Sequence, residues 1–175
     1  DALVVATPRG TQLEAVLETI AVRRPAVLVG DGLAETIAVL RRSGDAARSG
    51  VPIAVGAGFG PGLSCLLAAH GASWFDEVDE VHVAKAGTGG PACALVHHRA
   101  LSRMSYDWRV DESTGVGDWV RRAGGSGREL AWFPDPVGPR DCYRAALPDP
   151  VLLHHALPTI GRITARVAAT RRDRL

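Results

Sequence analysis

Apolar positions in the first third of the chain fall into two alternating textures. The continuous runs "ALVVATP" (residues 2–8), "AVLVG" (26–30) and "VPIAV" (51–55) suit short strands buried on both faces. Between them the spacing is helical. In "TQLEAVLETIAVRR", Leu13, Val16, Leu17 and Ile20 recur at i, i+3, i+4 and i+7, and Thr11 with Glu14 forms a capping-box pattern. In "DGLAETIAVLRRSG", Asp31 is placed to cap a second helix and Gly44 to end it. Strands alternating with one-sided helices through short loops predict right-handed crossovers and a parallel sheet. Three strands make too little sheet, so this part reads as the second half of a doubly wound sheet. The chain opens on Asp1 and stops at "RRDRL", as a fragment of a longer protein would.

The pattern changes after about residue 72. "FDEVDEVHVAKAGTGG" alternates Val78, Val81 and Val83 with polar residues, as a half-exposed strand does. "PACALVHHRALSRM" predicts a helix with Leu95, His98 and Leu101 on one stripe. "SYDWRVDE", "GDWVRRA", "RELAWFPDPVG" and "DCYRAALP" are short runs broken by Gly, Pro and Asp, which suggests an antiparallel or mixed sheet. "GRITARVAAT" fits a strand or a helix. The division expected is 1–60 for the parallel layer and 61–175 for a second, incomplete α+β domain.

Composition narrows the function classes. A net charge of +1 on 175 residues gives no global field for nucleic acid or an anionic membrane. Arg162, Arg166, Arg171, Arg172 and Arg174 crowd the end without interleaved aromatics and read as a solvated face. Three widely spaced cysteines, Cys65, Cys93 and Cys142, make no disulfide framework and fit a reducing cytoplasm. Residues 49–75 carry no formal charge, but Pro52, Pro61 and several glycines read as strand, loop and buried helix, not as a membrane span. The cysteines and histidines match no zinc spacing, so no metal site is expected.

The stretch "VGAGFGPG" (55–62) follows the third strand. Gly56 and Gly58 match the first two glycines of G-x-G-x-x-G, but Pro61 stands at the third. The acidic residue expected about 20 positions on, at the end of the next strand, is also missing, because Asp76, Glu77, Asp79 and Glu80 precede that strand. The stretch is therefore a poor pyrophosphate fingerprint. Its glycines allow close backbone approach or positive φ, and Pro61 suits the first turn of the next helix. Either a tight interdomain turn or a turn lining a ligand crevice satisfies them.

With Gly56, Gly58, Phe59, Pro61 and Gly62 in a G-x-G-(L/F)-x-P-G turn, the chain resembles the saccharopine dehydrogenase-like oxidoreductases. "VHVAKAGTGGPAC", "YDWRV", "WFPDPVG", "DCYRAAL" and "RVAATRRDRL" add to that resemblance. It implies the C-terminal half of a Rossmann-type sheet followed by an α+β substrate domain with a mixed or antiparallel sheet. The activity implied is NAD- or NADP-dependent hydride transfer on an amino-acid-derived C–N substrate. Thr7, Pro8, Gly30, Asp31, Gly56, Gly58 and Phe59 would line the cofactor crevice at the carboxyl ends of the strands, and Gly89, Gly90 and Pro91 would face the substrate. A homodimer is compatible with the family. The N-terminal fingerprint is absent, so the fragment alone is expected to bind cofactor poorly and to be inactive. That absence sustains an alternative, a non-catalytic ligand-binding or interaction module of Rossmann-like ancestry.

For a proton relay, Lys85, His82, His97 and His98 surround the Gly89-Gly90 loop in sequence, and Lys85, His97 and His98 are the candidates. Lys85 reads as an exposed strand-end lysine, an acid-base group or a substrate-carboxylate anchor. The adjacent histidines point about 100° apart on a helix, so only one can face a site. Arg99, Arg103 and Arg109 could grip carboxylates, with nothing to single one out. "GLSCL" lacks the second glycine of a nucleophile elbow, which excludes Ser64 from hydrolase chemistry.

Overall fold

A computed structural model describes residues 1–87 and 90–169. The chain is α/β, with a three-stranded parallel sheet and a separate, mostly antiparallel six-stranded sheet. It divides into two compact units, Asp1–Leu67 and Ala68–Leu175, the break falling inside a helix.

In the first unit β1 (Leu3–Val5), β2 (Ala26–Leu28) and β3 (Ile53–Val55) pair in parallel in the order β1-β2-β3. Helices α1 (Gln12–Ala21), α2 (Leu33–Leu40) and α3 (Ser43–Ser49) connect them. The core is small: Val5, Val16, Ala26, Leu28 and Val39, with Leu13, Ile20, Ile53 and Val55 packed against it. Only the central strand is sealed by neighbours on both sides. β1 is not buried on both faces as its composition suggests; it is an edge strand with Leu3 and Val4 exposed.

The helix ends also differ from the sequence reading. The Thr11 hydroxyl donates back to the Pro8 carbonyl (2.8 Å) and makes no cap bond to its helix, so the capping box does not form. The buried face of α1 is Gln12, Val16 and Thr19, whereas Leu17 is exposed, because the stripe is rotated toward the sheet. Gly32, not Asp31, is the N-cap of α2. Gly44 does not end that helix either. The chain leaves α2 at Arg41 and re-enters a helix as α3, which stops at Gly50 with φ 66°. An αL residue at a helix end favours glycine, and Gly50 is the true terminator.

Helix α4 (Leu63–Ala72) follows the glycine turn. Pro61 precedes it and lies outside its first turn. Expected as a buried helix, α4 has no buried residue, and Leu63, Leu66 and Leu67 are exposed.

The second unit is organised on β9 (Arg162–Ala168), which settles "GRITARVAAT" as a strand. β4 (Glu80–Lys85) runs parallel to β9 along one side. The other side is shared by two hairpins. β5 (Met104–Val110), paired with β6 (Gly117–Ala123), meets β9 at Arg162 and Ile163. β8 (Arg140–Arg144), paired with β7 (Glu129–Ala131), meets it at Arg166–Ala168. The Asp107–Arg144 ion pair (3.0 Å) ties β5 to β8 where the two hairpins diverge. β4 shows the expected alternation, with Val81 and Val83 buried between exposed neighbours. Helix α6 (Asp149–Ala156), for which the sequence reading offers no element, packs on β9 and β5 through fully buried Leu153.

Arg166 corrects the notion of a solvated arginine face. It is buried in the central strand, where Glu129 (2.7 Å), the Gly127 carbonyl (3.2 Å) and the Thr164 hydroxyl (3.2 Å) take its donors. Arg171, Arg172 and Arg174 lie outside the described residues.

Candidate functional site

The three parallel strands are in register, Val5 opposite Leu28 and Leu28 opposite Val55. Thr7, Gly30 and Ala57 therefore stand equally far beyond the strand ends, on one edge of the sheet. Backbone bonds from Val29 N–H to Val5 (3.3 Å) and from Ala57 N–H to Leu28 (2.8 Å) carry the ladder into that edge. Thr7 and Pro8 are exposed there, and Asp31 forms a 3.5 Å ion pair with Arg9 across the loops. The carboxyl edge of an open parallel sheet is where such folds place ligands.

Two residues that sequence reasoning missed shape this edge. A Cβ on Gly30 would fall 1.4 Å from the Gln12 amide nitrogen, so the Gln12 side chain packs directly on the Gly30 backbone and would have to move for any larger residue. The Glu35 carboxylate accepts a bond from the Gln12 backbone N–H (3.1 Å) and so occupies the start of α1. A helix N-terminus is the usual seat for a phosphate, and this one is filled by the protein's own anion. The available signal was a polar pair, Gln12 and Glu35, at inward helical positions.

The glycine turn has its own reasons. Gly62 has φ 138°, and a Cβ there would lie 1.9 Å from the Gly58 carbonyl oxygen. The N–H groups of Gly58, Leu63 and Ser64 donate to Pro61, Gly58 and Phe59 (3.0, 2.9 and 3.1 Å). Donors engaged this way do not point outward as a phosphate cradle needs. The turn thus does not fit a pyrophosphate-binding loop, and Gly56 within it is buried. Phe59 projects into solvent from this turn.

The candidates for proton chemistry lie in the second unit. Lys85 is not an exposed strand-end lysine. Its side chain is 12% exposed and its Nζ is 2.8 Å from Asp149, which is wholly buried at the start of α6. His97 and His98 sit on α5 (Pro91–Leu101), His97 half-buried and His98 exposed. The stripe expected on α5 does not face a core. Leu95 and His98 are exposed, and Ala100 is the buried residue. Gly90 is the N-cap of α5 and Pro91 its first residue, positions that suit these residue types whatever else they do. Gly89 lies outside the described residues.

Further polar networks surround β9. His82 bridges Glu80 (2.6 Å) and Thr164 (2.8 Å), and the bond from His82 holds the Glu80 carboxyl below the usual range. The trio has the order of an acid-base-hydroxyl relay, but Thr164 is 1% exposed inside the central strand, out of reach of a substrate. On the opposite face, the His154 ring stacks on Trp108 (centroids 3.8 Å apart, planes 25°) with Trp119 edge-on to both. Burial, then the charge of His155, pushes the His154 imidazole below its ordinary value. A groove of about 600 Å³ along the β5–β6 hairpin is lined by residues that include Arg109, Asp111 and Asp118, and no other sequence candidate reaches it. Among the described residues no three His, Cys, Asp or Glu side chains converge as metal ligands, and no helix is long and apolar enough to cross a membrane.

No family model matches the chain, and no curated protein matches it by sequence. Among solved structures it is similar to the L-glutamate-forming saccharopine dehydrogenase of Saccharomyces cerevisiae. The identity is 13% and the TM-score 0.59, covering 98% of this chain and 41% of that one. This is a likeness of fold, and the chain spans about two fifths of that enzyme's length. A Bacillus subtilis protein described as an oxidoreductase, YvaA, aligns over 96% of this chain and 46% of its own at 12% identity, with a TM-score of only 0.35.

Proposed function

We propose that the chain is the crevice edge and substrate domain of an NAD- or NADP-dependent oxidoreductase of the saccharopine dehydrogenase-like type, acting on a C–N bond of a small amino-acid-derived substrate in the cytoplasm. The observation that carries this reading is the edge itself. Three in-register parallel strands end in Thr7-Pro8, Gly30-Asp31 and the closed Gly56–Gly62 turn, ahead of a β4–β9 mixed-sheet unit. The fold likeness to a saccharopine dehydrogenase supports it. A bound nicotinamide nucleotide would supply the hydride. In this reading Thr7 and Asp31 hydrogen-bond the ligand, and Lys85, His97 and His98 are the groups of the second unit able to hold a proton.

The test is to extend the chain upstream with a strand–GxGxxG–helix unit and titrate it with NADH and NADPH by fluorescence. Micromolar binding is expected, with little or none by the 175-residue chain alone. No binding by the extended protein would drop the enzyme reading. It would favour instead a non-catalytic binding module, which the Glu35-filled start of α1 and the self-closed glycine turn already suit.

A further inference from the structure

Of the 20 lysine and arginine residues in the sequence, Lys85 is the only lysine. Everywhere else, buried or exposed, the chain places its cations as guanidinium groups, including the buried Arg166. Arginine is also the better residue for a buried ion pair, because its planar fork meets a carboxylate bidentately. The sole ammonium nonetheless stands in an ion pair with Asp149, which is 0% exposed.

Asp149 is the acidic residue in the first turn of α6, which favours a carboxylate there but does not call for a lysine in place of an arginine opposite it. Lys85 is the third inward position of β4 after Val81 and Val83, and it pairs with Val167 on β9. Fully buried Pro148 and Pro150 flank Asp149, so the carboxylate is rigidly mounted. An ion pair in such a place has a large desolvation cost, and well-packed apolar residues of similar volume are often as stable or more so. Asp149 takes one of the three N–H donors of the ammonium, leaving donors for a further acceptor.

We infer that Lys85 is the ligand-contacting residue of the second unit and that Asp149 is its positioning residue. The ligand group is a hydrogen-bond acceptor, a carboxylate oxygen or an amine or imine nitrogen, as an amino-acid-derived substrate carries. The inference rests on the functional reading above for its substrate class, but its test needs no cofactor.

Because the lysine is unique, a 15N-lysine-labelled 175-residue chain gives a single Nζ signal. Iminodiacetate, a secondary amine bearing two carboxylates, serves as the probe. A saturable shift of that signal is expected, together with at least tenfold protection of Lys85 from reductive methylation, read by mass spectrometry against the N-terminal amine. Asp149→Asn should abolish both responses and Asp149→Glu should restore part of them. An unmoved signal or unchanged protection would overturn the inference. A chain that holds iminodiacetate at Lys85 while its extended form ignores nicotinamide would lose the oxidoreductase reading and keep this one.

Discussion

At the scale of single residues, the structure turns composition into environment. His154 is one of six histidines in the sequence, and nothing in "VLLHHALP" separates it from His155. Its imidazole, packed on Trp108, is held below its ordinary value, first by burial. The folded state therefore favours the neutral ring, and the unfolded chain takes up the proton sooner as pH falls. The stability contributed by His154 is complete above about pH 6.5 and is lost as pH falls through the lower, folded value. Urea unfolding between pH 7.5 and 5 should show a midpoint that declines with acidity, and His154→Phe should flatten the slope. An equal slope in the variant would place the titration elsewhere. Glycines separate in the same way. Gly62→Ala drives a methyl into the Gly58 carbonyl at φ 138° and should cost about 3 kcal/mol or more. Gly50→Ala, with open space around it and φ 66°, should cost about 1 kcal/mol. Amide exchange within β2 measures both.

At the scale of elements, pattern located most strands and helices but misjudged what covers them. β1 and β2 have the same apolar texture, and the sequence makes them equivalent. Pairing does not: β2 is flanked on both sides and β1 on one. Val4 is 71% exposed and Val5 5%. Val5→Ala should therefore destabilise the first unit by about 2 kcal/mol, and Val4→Ala by less than about 0.5 kcal/mol. Equal losses in amide exchange would contradict this difference between the two faces of β1. β9 misleads in the opposite direction. Its alternation of Arg162, Thr164 and Arg166 with Ile163, Ala165 and Val167 resembles a half-exposed strand or an amphipathic helix. Thr164 and Arg166 are buried all the same, because β4 on one side and two hairpins on the other enclose them. The missed helix α6 is hidden by Pro148, Pro150 and Pro158, which read as loop, although a proline at the start of a helix is well placed.

At the scale of the whole chain, the change of texture after the glycine turn corresponds to two units of different construction, one parallel and one mostly antiparallel. All four tryptophans, Trp74, Trp108, Trp119 and Trp132, fall in the second, so tryptophan fluorescence follows that unit, and backbone probes are needed for the first. The sequence by itself determined the kind of most elements and set a parallel layer apart from an antiparallel or mixed one, because periodicity of 2 or 3.6 and glycine-proline punctuation are local properties of a chain. It also determined that the glycine turn lacks a pyrophosphate fingerprint. Only the tertiary structure decided that Gln12 fills the space above Gly30, that Glu35 occupies the start of α1, and that the lone lysine meets Asp149. Those pairs are separated by 18 to 64 residues. Contacts between distant residues arise from strand order and helix placement, and no local pattern encodes which side chains such packing brings together.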